Sequence, residues 1–274
     1  MEFGIRYDHE GSDQALRGFG ETAPNPAFEI VSFQTVLLSL RYGLTRHINI
    51  LASIPYQSIR SDKVQGASYS RLNRGWGDLL VTGEYRIGTS PQLTLEAGLK
   101  FPTGNIDKTD EFGQRICDIL ALGSGTTDPV VGVGVWIPHF IMHGLDVNAG
   151  VRHRFAVGKN KWGYQYGDQT VFSVHGSRPF ADHTRLGIRF EGFHAEPDTW
   201  YDNQVPERGA TMIWASPTFS INVSEGLALG GYVRFPVWMQ LEGAQMVSPV
   251  AVGLELNVDA NPVIKALVPG GGEE

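Results

Sequence analysis

The strongest constraint on this chain is a two-residue repeat of polarity. Between Leu145 and Val157, the residues Leu145, Val147, Ala149, Val151, Phe155 and Val157 fall on one face of an extended strand, and Asp146, Asn148, Gly150, Arg152 and Arg154 fall on the other. From Leu93 to Phe101 the apolar Leu93, Leu95, Ala97, Leu99 and Phe101 oppose Thr94, Glu96, Gly98 and Lys100 in the same way. In the segment before it, Leu79, Val81, Tyr85 and Ile87 oppose Asp78, Thr82, Glu84 and Arg86. A helix cannot keep such faces together, because its repeat is 3.6 residues.

Applied along the whole chain, the test gives about twelve strands, at 2–9, 30–43, 47–60, 74–88, 92–103, 129–140, 145–158, 170–181, 185–197, 212–223, 227–239 and 247–259. Their connections alternate in kind. Those at 43–46, 89–91, 141–144, 181–184 and 224–226 are short, and those at 9–29, 60–74, 103–128, 159–169, 197–211 and 240–246 are longer and more polar. A closed, antiparallel, up-and-down barrel with an even number of strands and both termini at the turn end produces that asymmetry, and bacterial outer-membrane barrels are built so. A Greek-key sandwich would not keep so regular an order. The expectation is an all-β transmembrane barrel of about twelve strands forming one domain over 1–260, followed by a periplasmic C-terminal tail over 261–274.

Composition closes other routes. The stretch Pro129–Leu145 is long and uncharged, but Pro129, Gly132, Gly134 and Pro138 interrupt it, which argues against a membrane-spanning helix. A formal charge of −7 speaks against nucleic acid as the main partner. Cys117 is the single cysteine, so neither an internal disulfide nor a multi-cysteine zinc or haem site can form. No cofactor and no metal site are expected. Met1-Glu2-Phe3-Gly4 is not a secretory signal, so either the protein is cytoplasmic or the signal has been removed; the barrel reading selects the second, in the outer membrane of a Gram-negative bacterium.

Aromatic placement fits a lipid-facing wall. On the apolar face, Tyr42, Tyr85 and Phe180 fall toward the turn end, and Tyr56, Phe101, Phe155 and Phe172 toward the loop end, as two interfacial girdles require. Trp136 and Phe140 fall on the opposite face from Val131, Val133, Val135 and Ile137, and a bulge near Pro138 would return Phe140 to the girdle.

The polar face then lines the lumen. Its bases are Arg6, Arg41, Arg86, Lys100, Arg152, Arg154, Arg189 and Arg234, and its acids are Glu2, Asp8, Asp78, Glu84, Glu96, Asp146, Glu191 and Glu255. Eight against eight suggests a cross-braced, narrow interior more than a strongly ion-selective pore. The candidate solute pathway is Arg41, Glu84, Arg86, Glu96, Lys100, Arg152, Arg154, Arg189, Glu191 and Arg234. In the longest loop, Phe112, Ile116, Ile119 and Leu120 follow helical spacing, and either fold into the mouth as a constriction or pack above the rim. The pair His175 and Ser177 has the spacing of a lipid hydrolase, but lies on the polar face, so no catalytic residue is assigned and the chain is not read as an enzyme. His139 and His143 flank a turn and are not read as ligands.

Four stretches carry a resemblance: Tyr42–Tyr56, Gly75–Leu79 with Glu84–Arg86, Ala97–Gly104 and Leu122–Pro129. They resemble the phenol-degradation meta-pathway family, which is similar to outer-membrane transporters of the long-chain fatty acid type. The resemblance covers most of 43–135 and implies a channel or porin-like transporter for aromatic or other hydrophobic compounds. It also implies that the turn Gly43–Arg46 is periplasmic and that Pro102-Thr103-Gly104 opens an extracellular loop. The chain departs from such barrels in ending beyond Asp259 without the usual final aromatic residue, and in leaving no room for a separate plug. The partners implied are membrane lipid and a small solute. The alternative is an interaction barrel with a blocked lumen, holding a protein partner through its extracellular loops or its tail.

Overall fold

The structure is a computed structural model that describes residues 1–24, 30–62, 70–205 and 208–260. Twelve antiparallel strands make up its wall: β1 (Glu2–Ser12), β2 (Ile30–Gly43), β3 (Ile48–Asp62), β4 (Ser70–Trp76 and Leu79–Ile87), β5 (Gln92–Phe101), β6 (Asp128–Ile137), β7 (Asp146–Arg154), β8 (Gln169–Ala181), β9 (Thr184–Ala195), β10 (Ala210–Ser224), β11 (Leu227–Met246) and β12 (Ala251–Asp259). Each pairs with its chain neighbour, and β1 pairs with β12 from Glu2↔Asp259 to Glu10↔Ala251, which closes the barrel. Closure leaves no open sheet edge in the wall, as hydrocarbon demands. Among the described residues, no helix is long and apolar enough to cross a membrane.

The wall is apolar outside. Leu95, Val133, Val151, Val174, Phe190, Phe219, Val233 and Leu254 are all exposed, whereas Thr82, Glu84, Lys100, Asp128 and Ser216 are buried. An apolar face turned outward needs lipid as its solvent. Tyr42, Tyr85 and Phe180 are exposed at the turn end, and Tyr56, Phe101, Phe155 and Phe172 at the loop end, so both girdles form. Turns are tight where the sequence supplies a residue for them: Glu225-Gly226 joins β10 to β11 with Gly226 at φ 83°.

Several boundaries differ from the sequence reading. β4 is broken at Gly77-Asp78, where the Gly77 N–H bonds to the Pro55 carbonyl at 2.7 Å. β6 ends at Ile137, and His139 and Ile141 take left-handed conformations (φ 55° and 63°), so Phe140 sits in the turn and no bulge returns it to the strand. Residues 240–246, expected as loop, continue β11 beyond the wall. They find ladder partners in a hairpin formed by Ala15–Gly18 and Glu21–Ala23, with Gly243 at φ 78° inside the register shift between Leu241 and Gln245. The expected tail at 261–274 lies outside the described residues.

Candidate functional site: the barrel lumen

Cross-strand register decides what meets inside, because paired residues point to the same side. Glu2 pairs with Arg41 across β1 and β2, and the Arg41 guanidinium reaches Glu2 at 3.3 Å and Glu84 of β4 at 3.0 Å. Arg86 approaches Glu84 at 3.9 Å. Arg152 clasps Glu96 with two hydrogen bonds, Nε to Oε2 at 3.0 Å and Nη2 to Oε1 at 2.9 Å, the fork geometry that fixes both side chains. Nearer the loop end, Asp128 is fully buried, pairs with Lys100 at 2.6 Å and accepts from Arg154 at 3.2 Å, while Lys100 also reaches Asp78 at 3.1 Å.

The ten pathway candidates therefore fall into separate groups. Arg41, Glu84, Arg86, Glu96, Arg152 and Glu191 line one mid-lumen cavity of 630 Å³. Lys100 and Arg154 form the Asp128 cluster above it. Arg189 reaches Glu255 at 3.7 Å and lies 5.5 Å from the Tyr232 ring centre, and Arg234 reaches Glu10 at 2.8 Å and lies 5.2 Å from the Trp214 ring centre. Sequence reasoning missed Asp128, which stands one residue before its expected strand, and also Glu10 and Arg185, the latter paired with Asp146 at 2.7 Å.

It also missed an apolar part of the lumen. Phe33 pairs with inward Glu10, Leu37 with inward Arg6, and Phe193 with Met212. Met212 and Trp214 of β10 both turn inward, with Phe193 and Trp214 ring centres 6.3 Å apart. Ile59 is buried on the same inner face. The signal was weak because segments such as Ile30–Gly43 carry apolar residues on both faces, so alternation cannot distinguish them.

The long loop does not form the helix its spacing suggested. Its one helical piece is the three-residue turn Asp118–Leu120. The Asp110 carboxylate accepts the backbone N–H of Phe112 and of Gln114, both at 3.0 Å, and this local turn displaces helical bonding. Ile116 is 2% exposed, while Phe112 is 64% and Ile119 46% exposed, so these residues share no face; Leu120 is half-buried, and its carbonyl accepts from Asn73 at 2.7 Å. What lies against the inner wall instead is the return segment Leu122–Ser124. Asp78, at the break in β4, accepts from the N–H of Gly104 at 3.0 Å and of Ser124 at 2.8 Å, and so pins both ends of the loop. A Cβ on Gly104 would lie 2.7 Å from Gly123 Cα, so the backbones meet there as only glycine allows.

The next loop packs on it. The Tyr166 hydroxyl donates to the Asp118 carbonyl at 2.6 Å, and Asn160 donates to the Asp118 carboxylate at 2.9 Å. Burial raises the pKa of Tyr166, aided by the Asp118 charge, and burial with a hydrogen bond to Asp198 raises that of Tyr164. A hydrogen bond from Lys161 lowers the pKa of Asp107.

The chain is similar to the COG4313 outer membrane channel from Pseudomonas putida F1, with a TM-score of 0.71 and 15% identity over 94% of each chain. It is also similar to the translocator domain of the autotransporter NalP from Neisseria meningitidis, with a TM-score of 0.53 and 10% identity over 94% of this chain and 88% of that one. It has the fold of a bacterial outer-membrane β-barrel. No protein-family model and no curated protein matches the sequence.

In that orientation the short turns are periplasmic and the loops extracellular. A second cavity of 710 Å³ opens at the periplasmic mouth of the barrel between Glu2, Arg41, His183, Glu225 and Asp259. His175 bonds to Thr218 at 3.1 Å, and the Ser177 hydroxyl accepts from Arg185 at 3.3 Å, so the two lumenal side chains engage other partners. His139 and His143 stack with ring centres 4.7 Å apart in a periplasmic turn. Among the described residues, no group of three or more His, Cys, Asp or Glu could hold a metal ion.

Proposed function

We propose that this barrel is an outer-membrane channel that passes a small solute, hydrophobic or aromatic in character, through a narrow lumen of balanced charge. The supporting observation is internal space: one cavity opens at the periplasmic mouth and another lies at mid-barrel, and Arg41 lines both. Above it, the Lys100–Asp128–Arg154 cluster and the return segment of the long loop narrow the way. The resemblance to the phenol-degradation meta-pathway family supports the choice of solute, and so do the inward Phe33, Phe193, Met212 and Trp214. Arg152 and Arg154 carry the polar part of the pathway in this reading, and Arg189, Glu191 and Arg234 extend it toward β9–β11.

Planar-bilayer recordings test the proposal. Arg152→Gln with Arg154→Gln should shift selectivity toward cations, and deletion of 108–120 should raise conductance. Unchanged currents in both, or none in the parent protein, would favour the second reading, an interaction barrel anchoring a protein partner. That reading draws support from the ion pairs that hold Arg41, Lys100, Arg152, Arg154 and Arg234, and from Trp200 and Tyr201 exposed on an extracellular loop.

A further inference from the structure

Cross-strand register lays a row of small residues along the inner wall of the mid-lumen cavity. Thr94 of β5 pairs with Gly134 of β6, Gly134 with Gly150 of β7, and Gly150 with Ser173 of β8. Three strand spacings of about 4.8 Å make this floor about 14 Å wide. Glu191 of β9 continues the row at one end and Arg86 of β4 at the other. The Glu96–Arg152 pair bounds the floor on its extracellular side, and Gln92, Trp136 and Asn148, in register across β5–β7, bound it on its periplasmic side. All of these residues line the 630 Å³ cavity.

The backbone does not require glycine at 134. Gly134 takes no left-handed φ, and a Cβ there would meet nothing nearer than the Ala149 carbonyl oxygen at 3.5 Å, an ordinary contact. Gly132, one rung nearer the loops, differs: its Cβ would stand 2.9 Å from Glu96 Oε2, in the path of the bond to Arg152. A glycine inside a strand weakens it, so what Gly134 contributes is open space above the floor. The polar groups around that space are uncommitted. Among the described residues, the side chains of Gln92, Thr94, Asn148, Ser173 and Glu191 have no hydrogen-bond or ion-pair partner. In the charged rungs, by contrast, carboxylates hold Arg41 and Arg152.

Chemistry restricts what this floor can hold. Arg41, Arg86 and Arg152 stand around the cavity with Glu84, Glu96 and Glu191, so an ion of either sign would meet its like. A wholly apolar ring would take water from two amides, two hydroxyls and a carboxylate and return no hydrogen bond to them. We infer that the floor is a binding site for a neutral, polyhydroxylated ring of monosaccharide size. The ring lies over Gly134 and Gly150 with its C–H face toward the Trp136 indole, whose face carries partial negative charge. Its hydroxyls bond to Thr94, Asn148 and Ser173, and the Glu191 carboxylate accepts from the edge turned toward β9. Binding stands on the cavity alone; a part in passage rests on the channel reading, to which it adds a requirement for hydroxyl groups at mid-barrel.

The test uses the full chain refolded in an amine-oxide detergent, which carries no sugar, with methyl glucoside as probe and saturation-transfer NMR as readout. The parent protein should give a saturable response. Gly134→Val, which fills the floor, should weaken binding by about tenfold or more. Gly83→Val makes the same change on the lipid-facing side of β4, where a Cβ meets only the Ala97 carbonyl oxygen at 3.8 Å, and should leave binding unchanged. Glu191→Gln keeps the shape and removes the charge; it should weaken binding several-fold, which gives a readout even if Gly134→Val fails to fold. Cyclohexanol, a ring with one hydroxyl, should not saturate over the same range. A parent response that never saturates, variants at 134 and 191 that bind like the parent, or cyclohexanol bound as tightly as the glucoside overturns the site. Bilayer currents on the same preparations separate the two readings: currents without saturable binding overturn the site alone, and saturable binding without currents supports the site and overturns the channel.

Discussion

The two sides of the lumen solve different problems with the same strand geometry. On β4–β7 the inner face is charged, and its charges meet opposite ones across strands: Arg152 with Glu96, and Lys100 and Arg154 with Asp128. On β9–β11 and β2, toward the extracellular mouth, the inner face is apolar, with Phe193, Met212, Trp214, Met239 and Phe33. A buried charge depends on one partner at one distance, whereas an apolar wall tolerates loss by leaving a hole. The charged side should therefore be brittle and the apolar side forgiving.

The sharpest break of that contrast is Asp128→Ala. It would leave Lys100 and Arg154 facing each other without the carboxylate that is 0% exposed between them, and should cost about 3–5 kcal/mol. Met212→Ala removes a buried side chain of similar burial but leaves only a larger cavity, and should cost about 2 kcal/mol. Urea unfolding of the refolded barrel, followed by tryptophan emission, measures both. Equal losses would show that the two sides do not differ in this way.

Within the charged side, exposure should grade the effect. Arg152 is 43% exposed, so despite its fork onto Glu96 the coupling between them, measured by a double-mutant cycle with Arg152→Ala and Glu96→Ala, should not exceed about 1 kcal/mol. A coupling several times larger would mean that this rung is as dry as Asp128.

The same contrast explains what the sequence reveals. Lipid enforces alternation wherever the inner face is polar, so β5 and β7 are legible residue by residue, and with them the outward face, the girdles and the positions of Arg152 and Glu96. Where the inner face is also apolar, alternation fades, and Phe33, Phe193 and Met212 are indistinguishable from outward neighbours such as Ile213. Pairing is harder still. Asp128 gains two cationic partners only because β5, β6 and β7 are adjacent in register, which periodicity within one strand cannot express. In the long loop, helical spacing misled because Asp110 captured the backbone N–H groups that a helix would have used.

The smallest effect belongs outside the membrane, where solvent screens charge. Asp107 accepts from Lys161, and its other oxygen accepts the Trp162 indole N–H at 3.0 Å. The Lys161 hydrogen bond lowers its pKa, so the folded loop favours the carboxylate. A depressed folded pKa contributes stability that is present above the unfolded carboxylate value of about 4 and is lost as pH falls through the lower folded value. Acidification below about pH 4 should therefore loosen this contact and change Trp162 emission, while the barrel wall keeps its strand circular dichroism. Asp107→Asn should remove the acid transition in Trp162 emission without altering bilayer currents. A transition that persists in that variant would place the titrating group elsewhere in the extracellular loops.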